Sequence, residues 1–365
     1  MAIFLQGTLA LILIGLQTGL IAAENAEVPL TEATPESQNL DSALLEQAIA
    51  EIAEGKYGDM DALLVLRNNY LVLEHYPSPL YHGQDYRRSA KSITKSVTSA
   101  LVGIARGQGK MPPLDSNLLS LFPQYTDIAN MDMRKQKITL EHVLSMTAGF
   151  EWDEFAVGDT SEFKMMRSAD WIKYTLDQPM SHSPGEKWVY NGGCSIMLSE
   201  ILQNATGTEV SDYARKYLFD PIGIENWYWG TLNRQSLTNT VSGLAMSRRD
   251  MARFGVLYLN GGRWQGKQIV PEEWVRKSTN VQVLGKGDYF PYAYGYQWWR
   301  LQDQEPTVGM LAVNDVYFAL GFGGQFIFVV PHLNMVVVST ASNFGPDEAL
   351  FLKLLRDHIF PAVLN

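Results

Sequence analysis

Strand-type runs lie at both ends of this chain with helical patterns between them, and that distribution constrains the fold more than any other feature. Residues 61–76, DALLVLRNNYLVLEHY, are two apolar runs separated by Asn68-Asn69, which predicts a β-hairpin. Far downstream, GYQWWRL (295–301), VYFALGFGGQFIFVV (316–330) and MVVVSTAS (335–342) have strand composition, and PHLN between the last two suits a turn. A sheet drawn from both ends implies one discontinuous α/β (α+β) domain, about 40–105 joined to 235–365, with an inserted mainly helical region at about 106–234. Hairpin connections make the sheet largely antiparallel, flanked by helices.

Helical spacing is clearest over Asp41–Glu54, where Leu44, Leu45, Ala48, Ile49 and Ile52 share a face, and over residues 92–109 with Ile93, Val97, Leu101 and Ile104. Thr139 is placed to cap a helix reaching about Met146, and Ser168 to cap another over DWIKYTL. Further helices are predicted over Ser195–Asn204, Val210–Leu218, the stretch opened by Ser247 and Asp250, and Asp347–Phe360.

Residues Thr8–Ala23 are apolar and uncharged, with Ala22-Ala23 as a cleavage-type end, and read as an export signal. The alternative is an uncleaved membrane anchor from Phe4 to Ala23. Glu24–Asn39 reads as a polar linker. The periplasm or the cell exterior is the expected destination. A formal net charge of -10 argues against nucleic acid or an anionic membrane surface as the main partner. The single cysteine, Cys194, forbids an intrachain disulfide and reads as a buried structural thiol. No Cys/His spacing suits zinc, and neither a metal nor an organic cofactor is expected.

There is no GxSxG elbow, HExxH or Walker A motif. His142, on a predicted helix, reads as a packing residue, and His182 as a loop residue. What remains is Ser-x-x-Lys, whose spacing puts serine and lysine on one helix face. It occurs at Ser92–Lys95 and at Ser161–Lys164. Ser92 follows two strands and a loop and opens an apolar helix, where the helix N-terminus favours developing negative charge. A desolvated lysine there has a lowered pKa and can accept the serine proton. Ser161 lies in polar surroundings and reads as a turn residue.

In this setting the chain resembles the serine β-lactamase and penicillin-binding-protein superfamily, in its class C-like branch of esterases and 6-aminohexanoate-oligomer hydrolases. The likeness runs from about Ala43 to Phe360 through DALLVLRNNYLVLEHY, SITKSVTSALVG, ITLEHVLSMTAGFEWDE, PGEKWVYNGGCSIMLSEILQNATG, SGLAMSRRDMARFGVLYLNGGRW and GFGGQFIFVVP. It implies a β-lactamase/transpeptidase-like fold and a serine hydrolase acting through an acyl-enzyme on a small ester, amide or peptide. By that resemblance Ser92 is the nucleophile, Lys95 its base or electrostatic partner, and Tyr190 a proton relay whose pKa Lys95 lowers. The backbone N–H groups of Ser92 and Gln325 would form the oxyanion hole. Asn191 and Gly192 occupy the place of the family's substrate-binding asparagine segment, and Phe322-Gly323-Gly324 that of its Lys-Thr-Gly strand.

Phe322 therefore stands where the family's β-lactamases and peptidases carry a cation for the substrate carboxylate. Either Arg248 or Arg249 supplies that charge, or the pocket suits neutral acyl groups, with Trp152, Trp188, Trp227, Trp229, Trp298 and Trp299 as candidate lining. Three functional readings follow: a carboxylesterase or amidase, a β-lactamase or D,D-peptidase, and an inactive homologue that only binds.

Overall fold

The computed structural model describes residues 30–77, 83, 85–155, 157–232, 236–284, 292–301, 315–345 and 350–364. The expected export segment and Asp347 lie outside them. The main sheet has nine strands: β1 (Thr31–Glu32), β2 (Met60–Arg67), β3 (Tyr70–His75), β4 (Val283–Leu284), β5 (Ala293–Tyr294), β6 (Trp299–Arg300), β7 (Tyr317–Gly321), β8 (Gln325–Val330) and β9 (Met335–Ala341). Their order is β1-β3-β2-β9-β8-β7-β6-β5-β4, antiparallel except for β1 against β3. The described part of the expected linker is thus built into the sheet edge: Thr31 and Glu32 pair with Tyr70 and Leu71.

Asn68 and Asn69 both adopt positive φ, 52° and 68°, the double left-handed turn that matches strand twist in a two-residue hairpin. The 316–330 run is not one strand. It divides into β7 and β8 at the turn Phe322-Gly323-Gly324, where Gly323 and Gly324 have φ of 89° and 87°. A continuous apolar composition hid that break.

Alternation along the central strands feeds two cores. Ala62, Leu64, Ile327, Val329, Val336 and Val338 face one side, and Leu63, Val65, Phe326, Phe328 and Val337 the other. Both faces are covered, so the strands read as uninterrupted apolar runs. Four helices organise the covering: α1 (Ser42–Ala53), α2 (Ile93–Gly107), α3 (Gly192–Thr206) and α4 (Arg248–Leu259). Helix α1 packs on the second face beside the C-terminal turns Leu350–Ile359, tied there by His358 Nε2 and Glu51 Oε2 at 2.9 Å. Helices α2 and α4 pack on the first face. A Cβ on Gly255 would meet Val336 Cγ1 at 2.6 Å, so glycine lets α4 lie directly on the sheet.

Residues 108–226 are mostly short helices, α3 the longest, and α3 packs beside α2. Asp170, rather than Ser168, caps helix Trp171–Asp177, because its Oδ1 receives the Lys173 N–H at 2.8 Å. The expected Val210–Leu218 helix is α-helical to Ala214 and continues as a π turn, Arg215–Phe219. Short strands flank this region: Trp227–Trp229 pairs with Leu244–Met246, which pairs in turn with Arg88–Ser89.

Candidate active site

The small three-stranded sheet delivers the chain to Ser92. Ala90 N–H donates to Leu244 O at 2.8 Å, and Leu244 N–H donates to Thr94 Oγ1 at 3.2 Å. Between these two anchors Lys91 is held at φ 50°, an uncommon conformation for a residue with a side chain. The resulting elbow ends at Ser92, immediately before α2. Gly321, at the end of β7, lies against it: a Cβ there would meet Ala90 O at 2.4 Å. Gly321 pairs directly with Gln325 in the sheet, so Ser92 and Gln325 come from adjoining segments. The Gln325 side chain secures the 322–324 turn, donating to Gly323 O at 3.0 Å and Ala341 O at 2.6 Å.

Lys95, one turn into α2, is buried. Its ammonium donates to Ser92 Oγ at 3.0 Å and to Val241 O at 2.9 Å, and lies 5.0 Å from the centre of the Tyr190 ring. Ser92, Lys95 and Tyr190 are thus brought together. The Tyr190 hydroxyl interacts with both Ser92 and Lys95. Its ring stacks on Phe155 and on Trp299, each 5.5 Å away with planes 24° apart.

The electrostatics correct two expectations. Burial depresses the Lys95 ammonium, but Tyr190, Glu154 and Glu162 outweigh it, and the pKa lies above the ordinary lysine value. Burial likewise raises the Tyr190 phenol, and the opposing pull of Lys95 does not bring it below the ordinary value. The resting site holds an ammonium and a neutral phenol.

The other expected site residues lie around this centre as follows. Asn191 is buried and caps α3, its Oδ1 accepting the Cys194 N–H at 3.1 Å. Its side-chain oxygen is thereby engaged at the helix N-terminus. Gly192 is the first residue of α3, and its N–H donates to Glu154 Oε2 at 2.9 Å. Phe322 is 55% exposed and packs on Phe344, itself 53% exposed, with ring centres 5.0 Å apart. Neither candidate arginine is available to a ligand. Buried Arg248 donates to Tyr86 O at 2.7 Å between the Tyr76 and Tyr86 rings, and Arg249 pairs with Glu74 and Glu32. Among the tryptophans, Trp188 and Trp299 pack on Tyr190, and Trp152 donates to Glu154. Trp227 and Trp229 pack on Phe219, and Trp298 lies in the core against Phe254 and Tyr258.

His142 is a structural residue, its Nδ1 accepting the Thr139 N–H at 3.1 Å in a capping box. Cys194 is buried and its thiol is pushed well up. Ser161, the first residue of a mostly exposed helix rather than a turn residue, accepts the Asp153 N–H on its Oγ at 3.0 Å.

Residues 61–358 match the family described as Beta-lactamase. The chain belongs to that family. It is 24% identical over 305 residues to the 6-aminohexanoate-dimer hydrolase of Paenarthrobacter ureafaciens, covering 79% of this chain and 74% of that one. Its fold is β-lactamase/transpeptidase-like. A Bacillus anthracis structure provisionally named as a 6-aminohexanoate-dimer hydrolase superposes with a TM-score of 0.72 at 21% identity, over 92% of this chain and 87% of that one. EstCE1, a hydrolase with promiscuous acyltransferase activity, superposes with a TM-score of 0.69 at 14% identity, over 87% of this chain and 100% of its own.

Proposed function

We propose that this Beta-lactamase family member is a serine hydrolase that cleaves a neutral ester or amide through an acyl-enzyme on Ser92. The observation that carries the reading is the 3.0 Å approach of the buried Lys95 ammonium to Ser92 Oγ beside Tyr190. A structural lysine has little reason to be buried against a half-exposed serine, since desolvating an ammonium is costly without partners.

The charge states suggest the division of labour. In acylation, Ser92 Oγ bonds to the substrate carbonyl carbon and its proton passes to the Tyr190 oxygen. Tyr190 gives its own phenolic proton to the departing alkoxide or amine, so it ends neutral as it began. Lys95, an ammonium throughout, offsets negative charge on Oγ and on the phenol oxygen. The Ser92 and Gln325 N–H groups are the proposed oxyanion donors. In deacylation, water attacks the acyl carbon, its proton returns through Tyr190 to Ser92 Oγ, and the carboxylic product leaves.

The preference for neutral substrates rests on the aromatic pair Phe322–Phe344 and on the commitment of Arg248 and Arg249 elsewhere. A carboxylate needs a charge-assisted partner to offset lost hydration. The test is mass spectrometry after fluorophosphonate treatment, then kcat/KM for short p-nitrophenyl esters against nitrocefin and D-Ala-D-Ala peptides. One adduct, on Ser92, with faster ester turnover is expected. Efficient nitrocefin turnover would replace the esterase reading by the β-lactamase one, and absence of any adduct would favour a binding homologue.

A further inference from the structure

A third ionisable group shares the buried site. Glu154, partly buried, stands in the loop that follows GF and precedes the helix Ser161–Arg167, and its carboxylate faces Trp152 and the start of α3. Oε2 accepts two N–H groups, from Trp152 Nε1 at 2.6 Å and from Gly192 at 2.9 Å. Gly192 lies two residues beyond Tyr190, and a Cβ on it would meet Glu154 Oε1 at 3.2 Å, so the absent side chain makes room for the carboxylate. The next residue, Phe155, stacks on the Tyr190 ring. One short segment therefore grips Tyr190 by ring contact and by the turn that follows it.

We propose that Glu154 is a positioning residue whose carboxylate, by accepting the Gly192 and Trp152 N–H groups, fixes the turn that follows Tyr190 and sets a negative charge opposite the Lys95 ammonium. This rests on the Ser92 acyl-enzyme reading above. The charged and titratable groups around it come from four elements: Lys95 on α2, Tyr190 and Cys194 about the start of α3, Glu162 on the helix Ser161–Arg167, and Tyr294 on β5. Burial and then Glu162 push the Glu154 carboxyl up to about 7, against the pull of Lys95 and of the Gly192 and Trp152 N–H donors. Below that pH the carboxyl is protonated, its hold on the Gly192 and Trp152 N–H groups weakens, and Lys95, still an ammonium, loses an opposing charge. Above it the carboxylate and ammonium coexist. Activity should accordingly rise through neutrality as pH increases, although no histidine among the described residues belongs to the site.

The experiment is the pH profile of kcat/KM for phenyl acetate, whose acyl and leaving groups do not titrate near neutrality, in wild type, Glu154→Gln and Glu162→Gln. Fluorophosphonate labelling is run on each. Glutamine keeps an acceptor oxygen for the two N–H donors but carries no charge. In Glu154→Gln the rise near pH 7 should vanish, and the alkaline fall from Lys95 deprotonation should move down by about 1–3 pH units, the usual effect of losing an opposite neighbouring charge. In Glu162→Gln the rise should persist but move to lower pH, because a like charge has been removed. That variant leaves the Gly192 and Trp152 contacts in place and tests the proposal even where Glu154→Gln folds poorly. Profiles of both variants that superimpose on wild type, with Ser92 labelled in all three, would overturn the role of Glu154 and leave the acyl-enzyme intact. Failure of wild type to label at Ser92 would remove the acyl-enzyme reading and this proposal with it.

Discussion

The chain carries the same four-residue pattern twice, and the two copies have opposite surroundings. Ser92-Ile93-Thr94-Lys95 begins a helix whose side chains are buried from Ile93 to Ala105. Ser161-Glu162-Phe163-Lys164 begins a seven-residue helix in which only Met165 is buried. In the first, the lysine turns inward to the serine and a backbone carbonyl. In the second, the serine instead accepts the N–H of Asp153. Spacing puts serine and lysine on one face in both cases, but water around an exposed lysine holds its ammonium in solution and gives it no reason to stay near the hydroxyl. Enclosure by α3, β5 and the 150s loop distinguishes the pair that can do chemistry.

The largest test of that contrast exchanges the serines one at a time. Ser92→Ala should lower kcat by several orders of magnitude with little change in Tm, since a half-exposed hydroxyl contributes little packing. Ser161→Ala should leave turnover within a few-fold of wild type. Equal losses in the two variants, measured on a p-nitrophenyl ester, would show that enclosure is not what matters.

Next in size is the unit formed by Lys95 and Tyr190. Lys95→Ala and Tyr190→Phe should each reduce kcat/KM by about 10²–10⁴, the range for acid–base groups. The double variant should be little worse than the poorer single one, because one proton route is being removed twice. Fully multiplicative losses would mean two independent functions. Lys164→Ala, the counterpart on the exposed helix, serves as the control.

How much of this was legible in the sequence follows the range of the interactions. Most short-range signals were reliable: the Asn68-Asn69 hairpin, the start of α1, the Thr139 and Ser247 caps, and the Ser92 helix all depend on residues within a few positions, whereas the Ser168 cap gave way to Asp170. The 322–324 turn was missed because apolar composition continues across it, and only the paired glycines mark the break. Glu154 was missed for a different reason. Nothing in the spacing relates it to Gly192, 38 positions away. Its neighbours in FEWDEF are only a mixture of aromatic and acidic residues. The charge states also failed at this level: a buried lysine alone has a lowered pKa, and Tyr190, Glu154 and Glu162, from distant segments, reverse the sign.

A smaller effect is expected at the mouth of the site. Phe322→Lys would place a cation on the exposed 322–324 turn, next to Phe344. Solvent screens such a charge, so the gain for carboxylate-bearing substrates should sit near about 1 kcal/mol, the lower end for a charged hydrogen bond. The measurement is the ratio of kcat/KM for nitrocefin to that for p-nitrophenyl acetate. A decrease in that ratio would place substrate carboxylates elsewhere in the cleft.

Stability offers a finer distinction. The Glu154 carboxyl is raised from 4.5 to about 7 in the folded chain. Its contribution is therefore fully present below the unfolded value and lost as pH rises through about 7. Glu154→Gln lacks this loss, so its Tm relative to wild type should increase from pH 5 to pH 8. A constant difference across that interval would mean the carboxylate is not held at a cost in the folded state.

The smallest effect returns to the second Ser-x-x-Lys. Ser161 does more than fill a turn, because Asp153 is the residue before Glu154. Asp153 and Ser161 bond reciprocally: Ser161 N–H donates to Asp153 O at 2.8 Å, and Asp153 N–H donates to Ser161 Oγ at 3.0 Å. Together they close the loop that carries Glu154 and Phe155 to Tyr190. Ser161→Ala keeps the first bond and loses the second. The freed N–H is near solvent, so the cost should be about 0.5 kcal/mol, the low end for one intramolecular hydrogen bond. That cost is expected in Tm, together with a small rise in KM if the loop loosens, while the pH at which activity rises stays unchanged because no charge has been removed. A shift of that pH in Ser161→Ala would show that the loop geometry, and not the surrounding charges alone, sets the ionisation of Glu154.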